Sequence, residues 1–237
     1  MRPFIPPDFN KESDLRGYAW QLCCFGELIR LGVAPEHVVS TGAESTGVVD
    51  FARNWTGEAG EFARQLRGYP DGEVRLFFNW ERPAGVSSAW LFDCKSGQNL
   101  SAYEDLRWAL GVEERFGLPV RLLVPAHDAV CRRVFVVDPA LALPLVNNKG
   151  IYHCQPHSQS LAHRKACREL GEVLRLDHGL YPEVMTEFSP TWWCAFAEDL
   201  AWRSRIDYPA VLAKLGADPW APFLKSGPSP LAEMTIG

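Results

Sequence analysis

Residues 118 to 125, LPVRLLVP, form an almost unbroken apolar run. A strand of that kind carries apolar side chains on both faces, so both faces must be covered. The chain therefore needs layers, with helices on each side of a sheet. The stretch upstream supplies the other parts of such a unit. SSAWLFDCK (87–95) reads as a strand. Ser101 with Glu104 three residues on is a capping-box signature. It opens a helix that carries Tyr103, Leu106, Leu110 and Phe116 on one face and stops at Gly117. VRLFFNW (74–80) pairs with 87–95 as a hairpin across the turn at RPAG, and RRVFVVD (132–138) is a further strand.

The flanks extend this pattern. Leu15, Tyr18, Leu22, Phe25 and Ile29 recur at helical spacing and predict a helix from Ser13 to Leu31, closed by Gly32. HVVSTGAESTGVVDF (37–51) reads as two short strands around a loop. A short helix is expected near 56–67, followed by a turn at GYPDG (68–72). Past residue 138 the grammar changes. PALALPLVNNKG reads as a linker, and helices are expected at 158–175, from the Ser189 cap and Pro190 onward, and at Tyr208–Leu215. The expected organisation is an α/β core over 1–138 with a helical extension over 139–237 packed on it. With 237 residues, 47% hydrophobic, and with 9 Trp and 13 Phe, the chain can bury a core and is not of the disordered class. A formal net charge of −5 argues against passive coating of nucleic acid, although not against a local basic groove. The N-terminal residues do not read as a signal peptide, and no apolar run is long enough to span a membrane. The 7 cysteines are scattered rather than arranged as a secreted disulfide framework. The expectation is a cytoplasmic protein with reduced thiols and no membrane partner.

AWLFDCKSG carries the clearest chemistry. Asp93 and Lys95, two residues apart on a strand, point to one face. In a metal-dependent phosphodiesterase the carboxylate holds a divalent cation. The ammonium positions the attacking water and offsets charge developing at phosphorus.

A hairpin ending in (D/E)xK, then a helix, then an apolar strand resembles the PD-(D/E)xK nuclease superfamily, and most closely its RecB- and Cas4-like members. The match is best over residues 74–125. The resemblance implies an α/β fold of restriction-endonuclease-like type, with a mixed sheet flanked by helices. It implies Mg²⁺- or Mn²⁺-dependent hydrolysis of DNA, with RNA as second choice. By the same resemblance Gln98 and Tyr103 order the site or contact a phosphate, though their spacing departs from the family pattern. Glu27, on the first helix, would be the additional metal-binding acid. The family also requires an acid upstream of the (D/E)xK strand. Asp50, at the end of GVVDF, ranks first for that role, and Asp71, in a literal Pro70-Asp71, ranks second. The competing expectation is a catalytically inactive protein of this fold, serving as a nucleic-acid- or protein-binding subunit of a larger complex. That class expects Asp93 and Lys95 to pair with each other.

A second constellation lies at 153–167, HCQPHSQSLAHRKAC. Cys154, His157, His163 and Cys167 have the ligand types and separations of a closed tetrahedral Zn²⁺ site. His163, Cys167, Leu170 and Leu174 equally form a helical core stripe. Arg164, Lys165 and Arg168, with His157 and His163, make the densest basic patch in the chain and are candidate nucleic-acid contacts.

Overall fold

The computed structural model describes residues 7–33, 35, 38–40, 72–75, 89–117, 119–125, 132–178, 188–203 and 206–224. The first helix, α1, is Glu12–Arg30, within a residue of expectation at each end. Ala19, Trp20, Leu22, Cys23, Cys24, Phe25 and Leu28 are all buried, so α1 is enclosed over most of its circumference.

Six strands make one sheet. They are β1 (Val38–Ser40), β2 (Gly72–Arg75), β3 (Ala89–Cys94), β5 (Val120–Pro125), β6 (Val134–Val137) and β8 (Cys167–Glu169), in that spatial order. Strands β1, β2 and β3 form an antiparallel meander. The chain then crosses over through a helix, α2 (Arg107–Phe116), and returns in β5 parallel to β3. β6 and β8 continue the sheet antiparallel. The expected α/β class with a mixed sheet flanked by helices is what the structure has.

Alternation along the strands sorts the core into two halves. Trp90 and Phe92 of β3 face α1, together with Leu123, Val134 and Val136 of the neighbouring strands. Leu91 faces the other way with Val120, Leu122, Val124, Phe135 and Val137, onto Leu106, Ala109 and Val112 of the crossover helix. Since β5 and β6 feed both halves, they are apolar at every position but Arg121, and all four residues of β6 are buried.

The segment after residue 138 is not a separate layer. PALALPLVNNKG, expected as a linker, begins with a short helix, α3 (Pro139–Ala142), and Ala142 is fully buried. Asp138 caps it through Oδ1, which accepts from the Ala140 and Leu141 amides. Two short strands that hydropathy did not reveal, β4 (Asn99–Ser101) and β7 (Ile151–His153), pair as a small second sheet.

The helix expected over 158–175 is broken. It consists of α4 (Leu161–Ala166) and α5 (Leu170–His178), with the extended residues of β8 between them. Those three residues satisfy their backbone groups against β6 rather than along a helix, with Phe135 opposite Glu169 and Val137 opposite Cys167. Cys167 is also joined by a disulfide to Cys154, which departs from the expectation of reduced thiols. The last helices, α6 (Pro190–Arg203) and α7 (Tyr208–Lys214), supply Trp193, Ala197, Leu200, Tyr208 and Val211 to the same core half as α1. The expected boundary at residue 138 is therefore crossed both by the sheet and by the core.

Candidate functional site

Asp93 is buried on the β3 face that carries Leu91, the crossover-helix side of the sheet. Lys95, one residue past the strand, continues its pairing by donating its amide to the Leu123 carbonyl at 2.9 Å. That register sends the Lys95 side chain to the same face as Asp93. The ammonium Nζ lies 2.8 Å from Asp93 Oδ2. It also lies 3.0 Å from Asp105 Oδ1 and 5.9 Å from the centre of the Trp108 ring.

Asp105 carries no mark in the sequence. At Ser101 the spacing predicts a box closed by Glu104, at α-helical separation. The first turn, Ala102–Leu106, is instead a π-turn, with the Arg107 amide reaching back to the Ala102 carbonyl. One extra residue in the turn moves the closing acid from the third position to the fourth. Ser101 Oγ accepts from the Tyr103 and Glu104 amides, and Asp105 Oδ2 accepts from the Ser101 amide at 2.8 Å. The remaining Asp105 oxygen is left facing Lys95. Nothing in the local sequence distinguishes a π-turn from an α-turn here, so Asp105 becomes visible only in three dimensions.

Burial by itself would pull the Lys95 ammonium down, but the carboxylates of Asp93 and Asp105 outweigh it and the net shift is upward. In this arrangement Lys95 is a fixed positive charge and hydrogen-bond donor, not a base.

Gln98 follows on the connection to β4. Its Nε2 donates to the Pro125 carbonyl at 3.3 Å, and its own carbonyl accepts from the Cys154 amide. It thus bridges the end of β5 to the segment after β7. Tyr103 is 75% exposed, with the Arg107 guanidinium 5.8 Å over its ring. A surface aromatic flanked by a cation is chemically suited to a base or phosphate.

Glu27 is not brought to this site. It lies on α1, which packs on the opposite face of the sheet from Asp93, and its carboxylate is held by Arg30 through two bonds of 2.7 and 2.5 Å. It lines a cleft of about 460 Å³ with Arg132, Arg133, Glu169, Trp193 and Trp220. The sheet itself separates Glu27 from Asp93, so the two cannot share a cation in this arrangement. Asp50 and Asp71 lie outside the described residues.

The proposed zinc ligands are likewise not assembled. Cys154 and Cys167 are bonded to each other, and a disulfide has no thiolate to give a cation. His163 stacks on Tyr152 with ring centres 6.1 Å apart, and His157 meets Phe135 edge-on at 6.1 Å. Among the described residues no group of three or more His, Cys, Asp and Glu is placed to hold a metal ion.

The basic patch forms a place of its own. His157, Arg164, Lys165 and Arg168 line a cleft of about 370 Å³ together with Glu169 and Glu172. Arg168 is ion-paired with Asp177, whose hydrogen bond pushes the guanidinium further up. Asp93, Leu122, Val137 and Cys167 are register neighbours in one row across the sheet. Three interstrand spacings put Cys167, which lines the same cleft as the patch, roughly 14 Å from Asp93.

The geometry gathers Asp93, Lys95, Asp105 and Trp108 at one end of β3, with Gln98 and Tyr103 on the same connection, and leaves Glu27 and the basic patch elsewhere. No family model, curated protein or solved structure matches the chain.

Proposed function

We propose that this chain is a metal-dependent nuclease of restriction-endonuclease-like fold, hydrolysing phosphodiester bonds of DNA in preference to RNA. One observation carries the reading. Asp93 and Lys95 project from the C-terminal end of the third strand of an antiparallel meander, followed by a crossover helix and a strand parallel to the third. The electrostatics at that point suit a cation. Two carboxylates converge on one positive group, the Lys95 ammonium. Asp93 would hold Mg²⁺ or Mn²⁺ together with an upstream acid, Asp50 first and Asp71 second. The ion would supply Lewis acidity at the phosphoryl oxygen. Lys95 would orient the attacking water and offset developing charge by hydrogen bonding. Gln98 fixes the end of β5 beside the site, and Tyr103 offers a ring to the nucleic acid. Arg164, Lys165 and Arg168 would engage the backbone at a distance.

A second reading has its own support. Asp93 pairs with Lys95, and Glu27 lies across the sheet, as expected of a fold that keeps its architecture without chemistry. Such a protein would bind nucleic acid or protein subunits of a larger complex.

A cleavage assay on linear, nicked and single-stranded DNA and on RNA, with Mg²⁺, Mn²⁺ or EDTA, separates the two. Metal-dependent cutting that disappears in Lys95→Ala supports the nuclease. Absence of cutting, together with no uptake of Mn²⁺ at Asp93, supports the binding role.

A further inference from the structure

Lys95 is bound by two acids, and only one of them belongs to the D-x-K pair. If a cation occupies Asp93, the Asp93 carboxylate is drawn to it and its hold on the ammonium weakens. Lys95 then needs another anchor, or its long side chain regains its rotamers and leaves the position the chemistry requires. Asp105 is built for that task. Its carboxylate uses both oxygens: Oδ1 lies 3.0 Å from Lys95 Nζ, and Oδ2 accepts from the Ser101 amide at 2.8 Å. The second bond fixes the carboxylate on the backbone at the mouth of the π-turn, so that Oδ1 is aimed before any ligand arrives. The Trp108 ring, one turn on, adds a weaker contact, its centre 5.9 Å from the ammonium.

We propose that Asp105 is the positioning residue for Lys95, holding its ammonium in place when the Asp93 carboxylate is engaged by a divalent cation; this rests on the nuclease reading of Asp93 and Lys95. Asp105 touches neither substrate nor metal in this scheme and acts through Lys95 alone. Its π-turn gives the widened first turn of the helix a purpose, because at α-helical spacing the residue closing the cap would be Glu104, and Asp93 would be left as the carboxylate holding Lys95.

The test compares wild type with Asp105→Asn, Asp105→Glu and Asp93→Asn. Asparagine keeps the shape but has one acceptor oxygen, so it can serve Ser101 or Lys95 and not both. Two readouts are taken in Mg²⁺: steady-state cleavage, and the Lys95 ammonium resonance in lysine-selective NMR, assigned with Lys95→Ala. The expected result is that Asp105→Asn lowers kcat by about 100-fold with KM little changed. It also loses the slowly exchanging Lys95 resonance, whereas Asp93→Asn retains it and Asp105→Glu restores part of both. A Lys95 resonance that persists in Asp105→Asn overturns the proposal, as does a rise in KM with kcat unchanged. If wild type cuts no substrate, the nuclease reading fails and the positioning role, which presupposes a cation at Asp93, falls with it; wild type that cuts while Asp105→Asn keeps the resonance removes the positioning role alone.

Discussion

Replacing Gly26 by alanine tests how closely the C-terminal helices are built onto α1. In most helices this substitution stabilises by about 1 kcal/mol, because alanine loses less backbone freedom. Here a Cβ at residue 26 would stand 2.3 Å from Trp193 Cη2 and 2.6 Å from Cζ3. Ordinary carbon contacts are roughly 3.5 to 4.0 Å, so the overlap exceeds about 1 Å. The indole, which also lines the cleft beside Glu27, is braced by three neighbouring rings. Phe188 lies edge-on to it at 5.6 Å, Trp192 at 5.1 Å and Phe196 at 6.2 Å. Overpacking of this kind costs about 1 to 3 kcal/mol, and the propensity gain offsets part of it. Gly26→Ala should therefore lower stability by up to about 2 kcal/mol, a fall in Tm of up to roughly 4 to 8 °C for a chain of this size. Thermal unfolding followed by tryptophan fluorescence measures it. Trp193→Phe removes the overlapping atoms, so the penalty of Gly26→Ala should shrink in that background by about 1 kcal/mol. A Gly26→Ala protein that melts higher than wild type would refute the packing argument, since propensity alone would then decide the sign.

The remaining predictions concern ionisation and covalent state. His178 stacks on Trp90 with ring centres 6.4 Å apart. Burial lowers its pKa, Asp177 opposes that, and Arg121 and Arg168 add to the lowering. The folded state therefore resists the proton that the unfolded chain accepts near the ordinary value of about 6.5, and stability should fall as pH drops through that value. Urea midpoints at neutral and mildly acidic pH should show a slope in wild type that flattens in His178→Asn; equal slopes would reject this account. For the pair Cys154 and Cys167, peptide mapping without reductant should recover the two joined, and reduction should destabilise the protein by about 3 kcal/mol for a loop of that size. Recovery of both as free thiols holding a chelatable zinc ion would restore the metal reading.

The layering and the positions of the longer elements were largely legible in the sequence, because burial on two faces writes itself into composition. The almost unbroken apolar run at 118–125 and the patterned helices around it required a sheet covered on both faces, and α1, β3, α2, β5 and β6 lie close to where periodicity put them. The Asp93–Lys95 pairing on one face also follows from strand alternation alone. What periodicity could not supply were the elements too short to show a period. β4, β7 and β8 have three residues each, and β8 interrupts a segment whose side chains read as one helix. Its extended state is determined by the free edge of β6 and by the bond to Cys154, both remote in sequence.

The same division holds at the candidate site. The chain by itself determined that an acid and a lysine share the end of a buried strand, since that depends only on spacing along an extended backbone. Tertiary structure decided which other charges reach them. Glu27 is the right residue type on a helix of the right kind, but the sheet stands between it and Asp93. Asp105 carries no distinguishing mark in the sequence, and a single extra residue in one helical turn sets its oxygen 3.0 Å from Lys95. Spacing along the chain fixes which face a side chain takes; only the packed fold fixes which faces meet.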